Sequence, residues 1–325
     1  MAKTDFSAPG MTIAEVEAAI AAATDLSVSA AAELTLIDQL ITACGQAAAT
    51  WEGRGFWWSR KKKTFTTVYA GISNVARSSN VATLTTGAAH GLVVGCRVRI
   101  AGVTTAGFDA DDAVVASVAD TTHFTYANAG DDVGSTADAT GTAAGHAYPL
   151  RTINSSAMTD LYVPQAALYG TDWPLAKTDR DAYDEWIAFH AAAGGNSEQY
   201  ALWEEDGALM MGLVPPPSSA TVVTIPYIRR HSKITSAGSN DAALIVPAEF
   251  HWAVYVDGPI WLVKHRITDP ASLAQCPSWI ETMQRMAAAD PTNGYGSPAV
   301  ITYPTGVRSW DRDGGHYTNS GNLSI

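Results

Sequence analysis

The chain has 325 residues, enough for about two or three domains, and a formal net charge of −12. A strongly acidic chain repels a phosphate backbone, which argues against a protein that binds nucleic acid tightly. No apolar run approaches the roughly 18 residues of a membrane span, and the N-terminus lacks the apolar core of a signal peptide. We therefore expect no membrane contact and a protein that stays in the cytoplasm or in a particle assembled there.

The first region, residues 11–53, is predicted to be helical. Thr12 and Glu15 have the spacing of a capping box, and apolar residues recur at helical intervals behind them. A second helix is predicted from Ser29 to the glycines at Gly53 and Gly55. The three cysteines lie far apart without metal-ligand spacing, which indicates buried free thiols: Cys44, Cys96 and Cys276.

An aromatic and basic segment follows these helices. Aromatic residues next to cations can form a stacking platform for single-stranded nucleic acid. The acidic net charge favours a different interpretation, in which aromatics anchor the helix end before an exposed basic turn that can dock an acidic protein. The candidate interface patch consists of Trp57, Trp58, Arg60, Lys61, Lys62 and Lys63.

Residues 73–147 differ in composition and predict a small all-β module. Alternating runs at 81–85, 97–100, 114–118 and 123–126 are separated by Gly and Asp turns. The string AAHGLVVGCRVRIAGV at 88–103, followed by TTHFTY, resembles small β-sandwich-like modules of phage tail and virion proteins. Cys96 stands where those modules usually have aspartate. His90 precedes Gly91 in a loop without partner residues, which favours a structural role.

Residues 200–229 carry the most specific pattern. Two apolar runs flank Asp206-Gly207, a strong hairpin signal, and Pro215 to Pro217 then end the second strand. A third alternating run at 222–228 predicts an antiparallel meander. Further helices are predicted at 178–193, capped by Thr178, at 247–265 with a kink at Pro259, and at 270–289.

This order of parts resembles the head-to-tail adaptor (connector) proteins of tailed bacteriophages. The resemblance covers about residues 11–72 and 148–290. It implies an α+β fold, a helical bundle with an antiparallel β-hairpin layer, into which the all-β, sandwich-like module is inserted at a loop. The expected domains are 1–72 and 148–290 for the two parts of the adaptor core, 73–147 for the module and 291–325 for an extended C-terminal docking arm.

The resemblance also implies a function. Adaptors form rings, commonly dodecamers, that join the portal to the tail or nozzle proteins in the virion neck, are assembled in the host cytoplasm, and let DNA pass without specific binding. In adaptor relatives the C-terminal segment contacts the portal. We expect the arm to be mobile in the free subunit and ordered in the neck, with its aromatics as anchors: Tyr295, Tyr303, Trp310 and Tyr317.

Catalytic motifs are missing from the sequence. It has no phosphate-binding loop, no nucleophile elbow and no zinc helix, and its short acidic clusters do not fit a calcium loop. We therefore expect no enzyme, no cofactor and no metal. The alternative function is a virion tail or fibre protein that binds host glycan or another virion protein through the β module. A wall hydrolase ranks third.

Overall fold

Six antiparallel strands close into a β-barrel in the middle of the chain. The computed structural model describes residues 10–51, 55–153, 158–190, 194–235 and 243–290. The helices are α1 (Ile13–Ala23), α2 (Ala31–Ala49), α3 (Arg180–His190), α4 (Gly258–Lys264) and α5 (Pro277–Ala289). The strands are β1 (Arg60–Thr66), β2 (Tyr69–Ser78), β3 (Val81–Thr86), β4 (Arg97–Ala101), β5 (Ala110–Val118), β6 (His123–Ala127), β7 (Val133–Ala137), β8 (Thr142–Pro149), β9 (Leu161–Pro164), β10 (Leu168–Tyr169), β11 (Trp173–Pro174), β12 (Ala176–Thr178), β13 (Gln199–Glu205), β14 (Ala208–Val214) and β15 (Val222–Arg229).

The barrel runs in the order β2, β3, β6, β5, β4, β8 and closes because β8 also pairs with β2. Alternate side chains of its strands fill the interior, among them Leu84, Ile100, Val115 and Phe124. The four strands that the alternating runs predict are all present. The predicted sandwich-like packing is wrong, because β8 joins both edges of the sheet and leaves no pair of facing sheets.

The hairpin at Asp206-Gly207 is confirmed, with β13 and β14 paired along their whole lengths. Both turn residues have positive φ, as a two-residue hairpin turn requires. The predicted meander is wrong. After the three prolines, β15 leaves β14 and becomes the centre of a second sheet, where it pairs with β1 on one edge and with β9 and β10 on the other.

The predicted helical bundle with a β-hairpin layer is also wrong. Only about 30% of the residues that the structure describes are helical, and the hairpin extends the barrel through pairing of β14 with β8. The helices still form a hydrophobic cluster of their own, in which α1, α2, α4 and α5 bury residues such as Ile20, Ile41, Leu262 and Met283. The barrel and the second sheet share a separate core, joined where the rings of Phe65 and Tyr148 lie 5.0 Å apart.

Two helix predictions need correction, and a third is refined. Residues 248–264 form one continuous helical run, as predicted, in which a short 3₁₀ turn, a π-helical segment and α4 follow one another, and Pro259 lies at the start of α4 directly after the π-helical segment. The predicted helix at 270–289 is a 3₁₀ turn followed by α5. Asp179, not Thr178, caps α3, because its carboxylate accepts the N–H of Ala182 at 2.7 Å. The capping box of Thr12 and Glu15 is confirmed.

The barrel begins at Tyr69 and ends at Pro149, close to the predicted module limits of 73 and 147. Whether that segment folds by itself stays a prediction. All three cysteines are free and buried. In the part of the chain that the structure describes, no helix is long and apolar enough to cross a membrane.

Candidate interaction surface

The predicted basic patch lies on a β-strand and not on a turn. Residues Arg60 to Lys63 begin β1, which pairs with β15 in antiparallel register, so that Lys61 lies opposite Tyr227. Within the described ranges, β1 has no strand on its other side. Lysine on an exposed edge strand is a common device against unwanted sheet extension, and the same edge is available to a chosen partner.

Cations are concentrated where β1 and β15 meet. Seven of the chain's 20 lysines and arginines lie on these two strands or within four residues of their ends, although the whole chain has a charge of −12. The backbone ties the strands together at this point, since the N–H of Arg229 donates to the oxygen of Ser59 at 2.8 Å. This set, the cationic strand pair, comprises Arg60, Lys61, Lys62, Lys63, Arg229, Arg230 and Lys233.

Asp160 is the acidic partner within the cationic strand pair. Its carboxylate accepts hydrogen bonds from Nζ of Lys61 at 2.5 Å and from the hydroxyl of Tyr227 at 2.7 Å. Burial alone would raise the pKa of Asp160, but these two hydrogen bonds outweigh it and lower the pKa below its ordinary value. The carboxylate of Asp160 thus offsets the charge of Lys61, while Arg230 and Lys233 remain exposed. Burial lowers the pKa of Arg229.

Trp57 and Trp58 form the base of the patch, where they are only half exposed. The ring of Trp58 stacks on Phe56 at 5.8 Å, and Trp57 meets Phe56 edge-on at 6.4 Å. Both tryptophans pack against the helical cluster. Aromatics that anchor the core in this way offer less surface for stacking nucleic-acid bases. The structure thus brings the six predicted patch residues together, whereas Tyr295, Tyr303, Trp310 and Tyr317 lie outside the described residues.

Sequence reasoning missed a buried polar network between the barrel and α3. His146 on β8 shares a 2.6 Å hydrogen bond between Nδ1 and the hydroxyl of Tyr183, and its Nε2 lies 3.5 Å from Asp112. Arg97 binds both Asp112, at 2.5 Å, and Glu205. Burial, with Arg97 nearby, lowers the pKa of His146 to about 3, so the imidazole is neutral at neutral pH.

This network is suited to holding elements together. It joins β4, β5 and β8 of the barrel to the hairpin and to α3, and the guanidinium of Arg180 lies 3.9 Å from the ring centre of Trp203 above it. The side chain of His146 is fully buried, which leaves a substrate no direct access to the imidazole. In the sequence, the one sign of this network is that His146 interrupts a run of small and apolar residues. That sign is too weak to predict the network.

The histidine singled out from the sequence is also buried. The Nδ1 atom of His90 accepts the backbone N–H of Leu92 at 2.9 Å, and its ring meets Phe124 edge-on. Across the described ranges, no three His, Cys, Asp or Glu side chains are grouped closely enough to hold a metal ion.

The chain matches no protein-family model, and a search of curated proteins finds no relative. The resemblance to phage adaptors consequently stays a prediction, and the function has to be argued from the surface and the fold.

Proposed function

We propose that the protein is a structural subunit of a tailed-phage neck, located in the virion at the head–tail junction. Copies of the chain form a ring that joins the portal to the tail and continues the DNA channel. The partners are the portal protein, the tail or nozzle proteins and further copies of the chain. No catalysis is assigned to it.

The observation that carries this proposal is the order of the elements. Two helices come first, then a strand, a hairpin with an Asp-Gly turn, three prolines, the strand that ends at Arg229, and two further helices. The first and last helices, more than 200 residues apart, pack into one cluster. This arrangement supports the resemblance to the adaptor family, with the barrel as an addition between β1 and the hairpin.

The charge distribution supports the same role. A ring of subunits, each with a charge of −12, presents a lumen to which phosphate does not adhere. The cations are instead gathered on one strand pair with a partly neutralised lysine, which suits a protein partner better than a DNA backbone.

A second candidate is the virion protein that binds host glycan through its β module. A pocket of about 260 Å³ lies on the outer face of the barrel, beside the loop after β14. Tyr69, which is 41% exposed, offers a ring for a sugar to stack on, and Arg99, Thr142 and Ser218 offer donors. Binding to a glycan array that is lost in Tyr69→Ala would favour this candidate over the adaptor.

The mass of the assembly tests the adaptor proposal. Mass photometry of the purified protein, alone and mixed with the portal protein, should show either a ring or a ring formed on the portal. A species that stays monomeric under both conditions would refute the proposal.

A further inference from the structure

The pocket on the outer face of the barrel has a small floor between two large side chains. Ala144 on β8 lies opposite Tyr69 on β2 at one edge of the strand and opposite Arg99 on β4 at the other edge. The strands that carry Tyr69 and Arg99 are therefore two inter-strand spacings apart, or about 10 Å. Because only a methyl group lies between the phenol ring and the guanidinium, a depression of about 260 Å³ stays open there.

The opposite wall of the pocket is a loop that backbone hydrogen bonds hold in place. Gly194 and the segment 216–218, which follows β14, line this side. The N–H of Gly195 donates to the oxygen of Pro216 at 3.0 Å, and the N–H of Ser218 donates to the oxygen of Gly195 at 3.1 Å. The pocket is therefore formed before a ligand binds, which reduces the entropy that binding costs.

Arg99 gives the pocket accessible hydrogen-bond donors. Its guanidinium makes no hydrogen bond to any residue that the structure describes, and of its three nitrogens only Nε is buried. Both Nη atoms are therefore accessible to a ligand. Asp111 forms an ion pair with Arg99, but its oxygen lies 3.6 Å from Nε and its side chain is 70% exposed. Such an exposed pair is weak and leaves the two Nη atoms available to a bidentate acceptor.

The rest of the lining is polar but not acidic. Among the described residues that line the pocket, Arg99 is the one charged side chain, and none is aspartate or glutamate. Thr142 and Ser218 contribute hydroxyl groups, and Tyr69 is 41% exposed. A cation without a lining carboxylate indicates an anionic ligand, and an exposed ring beside hydroxyl groups suits a sugar.

We propose that this pocket binds an acidic sugar, such as a terminal uronic or sialic acid of a glycan. The carboxylate of the sugar accepts hydrogen bonds from Nη1 and Nη2 of Arg99. The sugar ring packs against Tyr69 above Ala144, and its hydroxyl groups bond with Thr142 and Ser218. The inference deepens the second candidate function and rests on it in taking a glycan as the ligand, whereas it does not depend on ring assembly.

Shape and charge favour a sugar over other anionic ligands. The floor strand β8 pairs with β2 on one side and with β4 on the other, so a peptide finds no free strand edge here for its backbone groups. A nucleic acid needs several cations along its phosphates, and the described lining offers Arg99 alone. A volume of about 260 Å³ lies near the lower end of the range for small-molecule sites, which suits a single sugar unit.

A glycan array tests the proposal. The wild-type protein should bind glycans that end in a uronic or sialic acid and not their neutral counterparts. Calorimetric titration with the best acidic glycan and with its methyl ester then isolates the carboxylate without altering the protein. Esterification should weaken binding by at least about tenfold, because it removes the charge that pairs with Arg99.

Arg99→Gln makes the same test from the side of the protein. The variant should bind the acidic glycan at least about tenfold more weakly, with an unchanged circular dichroism spectrum, and should no longer distinguish it from the methyl ester. Arg99→Lys keeps the charge but loses the planar fork, so it should recover only part of the affinity. The control Arg285→Gln removes an exposed arginine on α5 and should change binding by less than about twofold.

Three results would overturn the inference. Neutral glycans that bind as well as acidic ones, with equal affinity in Arg99→Gln, would keep a glycan site but remove the carboxylate from it. A protein that forms rings on the portal and binds no glycan would lose this site and keep the neck function. A polyglutamate peptide that binds more tightly than the acidic glycan, and less tightly in Arg99→Gln, would assign the pocket to a protein partner. Binding of acidic glycan by a protein that never forms rings would instead support the inference and refute the neck function.

Discussion

The hydroxyl of Tyr183 lies 2.6 Å from Nδ1 of His146, and both side chains are buried. Tyr183 belongs to α3 and His146 to the barrel strand β8, so this bond fastens the helix to the barrel. Gly212 on β14 makes the contact possible, because a Cβ atom at that position would lie 2.4 Å from the Tyr183 ring. The hydrogen bond is therefore expected to contribute to the stability of the whole protein.

Tyr183→Phe tests that contribution. The variant keeps the ring but leaves Nδ1 of His146 buried without a partner, which should lower the free energy of unfolding by about 1–3 kcal/mol. Urea unfolding of the two proteins measures the difference. The matched control Tyr69→Phe removes an exposed hydroxyl and should change stability by less than about 0.5 kcal/mol. Equal losses of unfolding free energy in the two variants would show that the buried hydrogen bond stabilises the protein no more than an exposed hydroxyl does.

The buried histidines should make stability depend on pH. Burial lowers the pKa of His231 to about 4, and burial with Arg97 nearby lowers that of His146 to about 3, both below the ordinary 6.5. Below pH 6.5 the two histidines are therefore protonated in the unfolded chain but still neutral in the folded chain. The free energy of unfolding falls as the pH falls from 6.5 towards the two lowered pKa values. Each proton gives a slope of up to about 1.4 kcal/mol per pH unit.

The variant His231→Gln isolates one of these protons. Urea unfolding at a series of pH values between about 6.5 and 5 should give a shallower slope for the variant than for the wild type, by up to about 1.4 kcal/mol per pH unit. The variant will also be less stable at pH 7, because His231 bonds Tyr255 at 2.9 Å. Parallel slopes would mean that His231 titrates normally in the folded protein.

Glu17 should show the opposite dependence. Burial, together with Asp38 beside it, raises the pKa of Glu17 to about 7. A raised pKa stabilises the fold at low pH, and this stabilisation is lost as the pH rises through about 7. Glu17→Gln, which imitates the protonated acid, should raise Tm at pH 8 by about 2 °C or more and have little effect at pH 5.

Glu15→Gln is the control for this experiment. Glu15 lies two residues away on the same helix but is exposed and accepts the N–H of Thr12 at 2.8 Å in the capping box. Replacing its carboxylate should not stabilise the protein at any pH. An increase in Tm at pH 8 for this variant as well would attribute the effect to net charge and not to burial of Glu17.

Deleting the module tests the predicted division of the chain. The buried members of the helical cluster all come from residues 13–56 and 234–286, so none lies within 73–147. Replacing 73–147 with a short Gly-Ser linker should leave most of the helical circular dichroism signal, with a partial loss because α3 loses His146. Complete loss of helical signal would show that the barrel is required for the helices to fold.

The C-terminal arm is the predicted contact to the portal. Truncation after Asp290 should leave the subunit folded, because the buried cluster of the helices is complete without the arm as far as Met286, and should abolish binding to the portal protein. Substitution of both Tyr303 and Trp310 by alanine should weaken binding by about 2 kcal/mol or more, as for buried aromatic anchors. Biolayer interferometry with immobilised portal measures both. Ser309→Ala is the control, and unchanged binding of the truncated protein would move the contact to another surface.

Local signals in the sequence located individual strands but not their partners. Alternation placed β3 and β6 within one residue of their observed ends, and Asp206-Gly207 identified the hairpin, because both signals depend only on neighbouring residues. Barrel closure depends on β8, a run of small residues with almost no alternation that pairs with strands about 45 and 75 positions earlier. No local signal indicates such long-range pairing. The sequence therefore predicts a helical bundle as the main body of the fold, where the structure has a barrel.

The candidate surface was predicted to a similar degree. The composition at Arg60 to Lys63 identified the patch, but the turn interpretation failed since the pairing of β1 with β15 is a long-range contact. Arg229 and Arg230 join the same patch from about 170 residues away. A single sequence contains no signal for that pairing.

Electron microscopy tests the central claim most directly. Negative-stain images of the purified protein mixed with its portal should show rings with a central channel, stacked coaxially on the narrow end of the portal. Particles that remain single subunits, or that bind the portal without rotational symmetry, would contradict the assignment of this chain to the phage neck.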